Sequence, residues 1–234
     1  VQAASLGVLS LSQSYGVGFF LFFFFQAYAV YFLGARVANR AVGLIAAIVF
    51  ATDGGSNFTG GWQWVVATGV WPSSLSMAFA LVATAHLGSL FETPDWRACG
   101  RVGVFVGLSF LAHPIAIPYF AAILPMAVIA QWFADPSRID RLALTRLAVA
   151  GGLGVLIGAT WLWPFFSSSG FVLEQPASWL SLAEIGVRLQ DGTLLDGMWP
   201  FAVIFGTIGV PVLLFKRRFL PVLVGLGAGV FLFL

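Results

Sequence analysis

Charged side chains are scarce in this chain, and their scarcity limits its possible folds more than any other feature. Eleven basic and nine acidic residues make up 9% of the 234 positions, whereas 60% of the positions are hydrophobic. A soluble domain carries about 25% charged residues and needs polar side chains to cover its surface. The composition therefore excludes a soluble domain, a disordered chain and a nucleic-acid-binding protein. It predicts a polytopic membrane protein that lies in the lipid bilayer.

The hydrophobic pattern favours helices over a β-barrel. The run Phe19–Phe25 is apolar at every position, whereas the strands of a membrane barrel alternate apolar and polar residues. The single cysteine, Cys99, excludes an intramolecular disulfide framework and a cysteine-rich metal site. The predicted fold class is all-α, a bundle of transmembrane helices.

The basic residues indicate how the chain is threaded. Cytoplasmic loops of membrane proteins carry an excess of Lys and Arg, so each basic cluster is placed on the inner side. Each stretch between clusters then crosses the membrane an even number of times. Of the 11 basic residues, only Arg188 lies outside these clusters, which are Arg36/Arg40, Arg97/Arg101, Arg138/Arg141/Arg146 and Lys216/Arg217/Arg218.

This threading gives about eight crossings. The segment Val102–Ala134 is too long for one helix, because its 33 residues would span roughly 50 Å against a core of about 30 Å. It is interpreted as two crossings that turn at His113-Pro114, since proline disfavours helix at the residue before it. The other six predicted crossings are Val17–Leu33, Ala41–Ala51, Pro72–Phe91, Leu147–Phe166, Met198–Phe215 and Phe219–Leu234.

The chain is interpreted as a single transmembrane domain, 1–234. It begins without Met and ends in an apolar run, so we expect it to be an internal piece of a longer protein. The predicted parts are an outer tail (1–16), core helices (17–166), an outer loop (167–197) and two further helices (198–234).

Two crossings, Ala41–Ala51 and Val102–Ala112, have 11 residues each, whereas a full span needs about 20. One interpretation is that both helices extend inward, through Val37–Arg40 and Arg97–Arg101, with snorkelling arginines. The other, compatible interpretation is that both stop below the outer surface and that the residues after them face a recess.

Two residues at these helix ends are the candidates for catalysis. Asp53 precedes a Gly-Gly pair, and a carboxylate there can act as a general base or bind a divalent metal such as Mg²⁺ or Mn²⁺; the alternative is a solvated loop residue that caps a turn. His113 can contact a phosphate or a metal; the alternative is a histidine bonded to free carbonyls at the broken helix. His86 is interpreted as structural.

The outer loops carry the remaining candidates for substrate binding. Arg188 is a candidate phosphate contact, although Glu184 four residues earlier favours a helical ion pair. The segment Ser178–Leu189 is predicted as a short interfacial helix with Ser178 or Ser181 as N-cap. Tryptophans on the outer side fit either an interfacial belt or a sugar-stacking platform. The other candidates for binding are Trp62, Gln63, Trp64, Trp71 and Glu174.

Three motifs resemble those of multi-spanning bacterial membrane proteins of the GT-C glycosyltransferase superfamily, in particular the group called "6-pyruvoyl-tetrahydropterin synthase-related" membrane proteins. Nothing in the sequence indicates pterin chemistry. The motifs are Gly60-Gly61-Trp62 with Thr68-Gly69-Val70-Trp71-Pro72-Ser73-Ser74-Leu75, then Gly107-Leu108-Ser109-Phe110-Leu111-Ala112-His113-Pro114, and Ala159-Thr160-Trp161-Leu162-Trp163-Pro164-Phe165.

The resemblance implies a function. Such enzymes pass a sugar from a polyprenyl-phosphate donor to an acceptor on the outer face of the bacterial inner membrane, with an outer-loop Asp as base, sometimes beside a metal. The family's main catalytic acid follows its first transmembrane helix and has no match here. Asp53 matches only a later acidic position, and His113 matches a recurrent His-Pro.

A transporter or flippase and a non-catalytic scaffold are the alternatives. Broken helices near the membrane midplane suit a transporter as well. The absence of charged residues from three of the predicted spans argues against an ion-coupled one. The spans in question are Ala41–Ala51, Pro72–Phe91 and Val102–Ala112.

Overall fold

Helices account for all the regular structure that is described. The structure is a computed structural model that describes residues 8–52, 71–92 and 95–168, with residues 181, 183, 184, 187 and 211. Within these ranges it contains no strand, which confirms the predicted all-α class. The helices are α1 (Leu11–Val37), α2 (Arg40–Thr52), α3 (Trp71–Leu87), α4 (Ser89–Glu92), α5 (Trp96–Ala112), α6 (Ala116–Ala134) and α7 (Arg141–Ser167), with a 3-10 turn at Pro136–Arg138.

Four segments of the described chain are long and apolar enough to cross a membrane. They are Leu11–Val37, Trp71–Glu92, Ala116–Ala134 and Arg141–Ser167. Large apolar side chains on them face outward, including Phe20 (68% exposed), Leu156 (71%) and Trp163 (77%). Such surfaces are unfavourable in water and suit a lipid environment. The helices are thus compatible with an integral membrane protein. Of the predicted crossings 198–215 and 219–234, the structure describes only residue 211.

The helices form a row. α2 packs on α1, α1 on α3, α3 on α5 and α5 on α7, while α6 packs against α3 and α5. The ring of Phe32 lies 5.1 Å from that of His86 at one end, and Tyr15 lies 5.2 Å from Trp71 at the other. These contacts make α1 and α3 parallel. The bundle therefore has two ends, which we call the arginine end (Arg36, Arg101) and the His113 end.

α1 begins earlier than the sequence indicates. Ser10 accepts from the Gln13 N–H at 3.2 Å, and the Gln13 side chain accepts from the Ser10 N–H at 2.9 Å. This reciprocal pair is a capping box, which starts a helix by satisfying two free donors. Residues 11–16, predicted as outer tail, are therefore part of α1.

The predicted inward extension of the short crossings is right for one helix and wrong for the other. α5 begins at Trp96, with the Asp95 carboxylate accepting from the Arg97 N–H at 2.8 Å, so it includes 97–101 as predicted. α2 does not extend through 37–40. Asn39 accepts from the Val42 N–H at 3.0 Å and caps α2 there, so α2 begins at Arg40.

The predicted break at His113-Pro114 is confirmed. α5 ends at Ala112 and α6 begins at Ala116. His113 has an extended backbone, with φ −167° and ψ 142°, as expected for a residue before proline. The break turns the chain back within three residues and places His113 at the tip of a helical hairpin.

Glycines allow a close contact between α5 and α7, which sequence reasoning missed. A Cβ added to Gly107 of α5 would lie 2.5 Å from the Ile157 Cβ of α7, and one added to Gly154 would lie 2.5 Å from the Val106 Cγ1. Small residues let membrane helices approach to such distances. Because these contacts join positions about 50 residues apart, only the tertiary structure reveals them.

Candidate functional site

An apolar groove opens at the His113 end. Its volume of about 590 Å³ is within the range of pockets that hold small ligands. α1, α3 and the last residue of α5, Ala112, form its walls. We call it the aromatic groove, and its lining residues are Leu11, Ser14, Tyr15, Gly18, Phe22, Trp71, Pro72, Leu75 and Ala112.

Trp71 is the aromatic centre of this groove. Its ring lies 4.8 Å from that of Phe19 and 5.4 Å from that of Phe22, and it meets the Phe19 ring edge to face. Edge-to-face pairs of this kind contribute about 0.5–1.5 kcal/mol beyond burial. The predicted binding residue Trp71 is thus held on α1 by aromatic partners, and its face is part of an apolar wall.

Gln26 is a buried polar residue that sequence reasoning missed. It lies one turn beyond Phe22 on α1 and is 6% exposed, and its Nε2 has no hydrogen-bond partner among the described residues. An unpaired amide is costly in an apolar interior. The signal was present in the sequence, since Gln26 directly follows the run 19–25, which is apolar throughout.

A buried hydroxyl pair supports the hairpin that carries His113. The Ser109 Oγ donates to the Ser76 carbonyl at 2.7 Å, and the Ser76 Oγ lies 2.9 Å from the Ser109 carbonyl and 3.2 Å from the His113 carbonyl. These bonds add a second donor to carbonyls near the point where Pro114 ends α5, such as that of Ser109, which also accepts from the His113 N–H at 3.1 Å. They also tie the His113 hairpin to α3.

The imidazole of His113 is held in one tautomer. The Ile115 N–H donates to the His113 Nδ1 at 3.1 Å, so Nδ1 is an acceptor and the proton of the neutral ring lies on Nε2. Burial lowers the pKa of His113 below its ordinary value, which favours the neutral ring. Because a metal needs an unprotonated nitrogen, this tautomer favours the predicted phosphate contact, through Nε2–H, over the metal contact.

α2 ends below the level at which α1 begins. Gly43 packs against the α1 backbone at Tyr31, and α2 runs antiparallel to α1 from there. Thr52, nine residues further on, therefore lies near the level of Phe22, where the groove ends. Thr52 is exposed, and Asp53, which follows it, lies outside the described residues, so the recess stays a prediction.

Several predicted site residues lie outside the described residues. Within the segment predicted as an interfacial helix, Ser181 and Glu184 form the two reciprocal bonds of a capping box, at 2.8 and 3.2 Å. Within the described ranges, no three His, Cys, Asp or Glu residues group as metal ligands, so the Mg²⁺ or Mn²⁺ stays a prediction. The undescribed candidates are Asp53, Trp62, Gln63, Trp64, Glu174 and Arg188.

Comparison of the chain with protein-family models, with curated proteins and with solved structures finds no match.

Proposed function

We propose that this chain belongs to an integral membrane glycosyltransferase of GT-C type, which binds a polyprenyl-phosphate-linked sugar at the His113 end. The observation that carries the proposal is the aromatic groove, which ends at Ala112 beside His113. An apolar groove accommodates the isoprenoid tail. The Nε2–H of His113 is the donor for the phosphate at its head.

The proposed reaction needs one base and one anion-stabilising group. An acceptor hydroxyl attacks the anomeric carbon, its proton passes to the Asp53 carboxylate, and the bond from that carbon to the phosphate oxygen breaks. The leaving polyprenyl phosphate keeps the electron pair. A hydrogen bond from His113 to a phosphate oxygen stabilises this charge as it develops. Trp62, Gln63 and Trp64 are the proposed sugar platform, Trp71 contacts the tail in the groove, and Glu174 and Arg188 are further candidates for binding.

Sugar transfer in membrane vesicles that contain the protein tests these roles. The variant H113N keeps an acceptor for the Ile115 N–H but removes the Nε2–H donor. Loss of one such donor typically slows a reaction by about 10²–10³-fold, so transfer from polyprenyl-phosphate sugars should fall by that factor. W163A, at a side chain 77% exposed on α7, is the control and should leave transfer unchanged.

Separate variants test the roles of the groove and of the base. L75W places an indole in the groove, and D53N removes the proposed base; each should abolish transfer while helix content stays constant. Full transfer by D53N would exclude Asp53 from the mechanism. Movement of the lipid-linked sugar across the bilayer without transfer would instead support the transporter alternative.

The proposed orientation, with the arginine end cytoplasmic, has its own test. Ser137 lies between α6 and α7, near the arginine end, and Ser168 follows the opposite end of α7. A membrane-impermeant maleimide added outside intact cells should label S168C and leave S137C unlabelled. The reverse pattern would refute the orientation.

A further inference from the structure

A histidine is buried at the arginine end of the bundle, away from the aromatic groove. His86 is 8% exposed, and its ring stacks against Phe105 at 6.3 Å and packs against Phe32 at 5.1 Å. Its Nδ1 is buried and has no hydrogen-bond partner in the described part of the chain. A desolvated nitrogen without a partner is unfavourable, so the buried imidazole lacks one hydrogen bond that a bound ligand could supply.

Two arginines flank this histidine from different helices. The Arg36 guanidinium lies 5.5 Å from the centroid of the Phe32 ring, and Arg101 lies one turn before Phe105 on α5. Both positive charges act on His86. The arginine side chains are exposed, whereas the imidazole is buried. A ligand can therefore reach the two guanidinium groups from the surface.

The positive charge of this cluster is only weakly compensated. Arg101 meets the Asp95 carboxylate at 3.9 Å, with the two side chains 49% and 43% exposed. Water and salt screen an ion pair with this geometry and exposure. An anion seated between Arg36 and Arg101 would compensate the positive charges of the two guanidinium groups.

We propose that Arg36, His86 and Arg101 form a phosphate-binding site between α1, α3 and α5. Guanidinium groups bind phosphate through paired, charge-assisted hydrogen bonds. Basic pockets between transmembrane helices bind anionic lipid headgroups. The ligand is a phosphate group, carried either by a lipid of the adjoining leaflet or by a free solute. The site lies opposite the His113 end and does not depend on the proposed glycosyl transfer.

Thermal unfolding of the full chain in neutral-detergent micelles tests this site. The probes are phosphatidylglycerol, inorganic phosphate and, as the zwitterionic control, phosphatidylcholine. A ligand that binds the folded state raises the unfolding midpoint with its concentration. We expect R36Q/R101Q to weaken phosphate binding by about tenfold for each arginine lost. The control R138Q/R141Q removes the same charge at the same end and should bind as the unaltered chain does.

The outcomes identify the source of the phosphate. Stabilisation by phosphatidylglycerol alone indicates a lipid headgroup, and stabilisation that inorganic phosphate also produces indicates a free-phosphate site. If neither ligand stabilises the chain, or if both double variants lose binding equally, the proposal is overturned. Should R36Q/R101Q fail to fold, R36K/R101K keeps the charge and removes the paired donors; unchanged phosphate affinity in that variant would also overturn it.

Discussion

The close approach of α5 and α7 makes a quantitative prediction at Gly107. In G107A the new Cβ would lie 2.5 Å from the Ile157 Cβ and 2.7 Å from its Cγ2, where ordinary contacts are 3.4–4 Å. The two helices must therefore separate by about 1 Å, since packed interiors have no spare volume. Overpacking of this kind costs about 1–3 kcal/mol. We expect G107A to lower the free energy of unfolding by that amount.

The matched control is a glycine of α7 that lies outside this interface. A Cβ added to Gly151 of α7 meets nothing within 4 Å, so G151A should leave stability unchanged or raise it by up to about 1 kcal/mol through helix propensity. The assay is reversible unfolding by sodium dodecyl sulfate in mixed micelles, followed by far-ultraviolet circular dichroism. If G107A is as stable as G151A, the helices are not packed as described here.

The polar groups of the His113 hairpin make two further predictions. Burial lowers the pKa of His113 in the folded chain. Below pH 6.5 the unfolded chain therefore binds more protons than the folded chain, so the free energy of unfolding decreases as the pH falls to the folded-state pKa. Nitrogen NMR of labelled histidine should show a protonated Nε2 at pH 7 and a midpoint below 6.5, whereas a protonated Nδ1 would contradict the bond from Ile115. S109A removes the bond to the Ser76 carbonyl, which also accepts a backbone bond within its own helix, and should cost about 0.5–1.5 kcal/mol, the net contribution of one hydrogen bond; unchanged stability in the unfolding assay above would show that this bond does not stabilise the hairpin.

Local sequence rules predicted the helices and several of their ends. The proline rule located the break at His113-Pro114, and the apolar runs located the four long segments. The same rules failed at the start of α2. There the side chain of Asn39 caps a new helix, and the apolar pattern alone contains no information about that bond.

Most features that could not be predicted from the sequence are contacts between residues far apart in the chain. Trp71 was a candidate because it is aromatic and near a predicted outer loop. Its partners Tyr15, Phe19 and Phe22 are about 50 residues away in the chain, and only the parallel packing of α1 on α3 brings them together. The tautomer of His113 likewise depends on a backbone donor two residues on, whose direction the turn determines.

The position of a bound lipid tests the central claim most directly. A polyprenyl phosphate with a photoreactive diazirine in its tail, added to the full chain in nanodiscs, should label the walls of the aromatic groove, at Tyr15, Phe22 and Leu75. Excess unlabelled polyprenyl phosphate should suppress this labelling, because a competitor can displace the probe only from a saturable site. Labelling confined to the lipid-facing side chains of α2 and α7, such as Leu44 and Leu156, and unaffected by competitor, would contradict the proposed site.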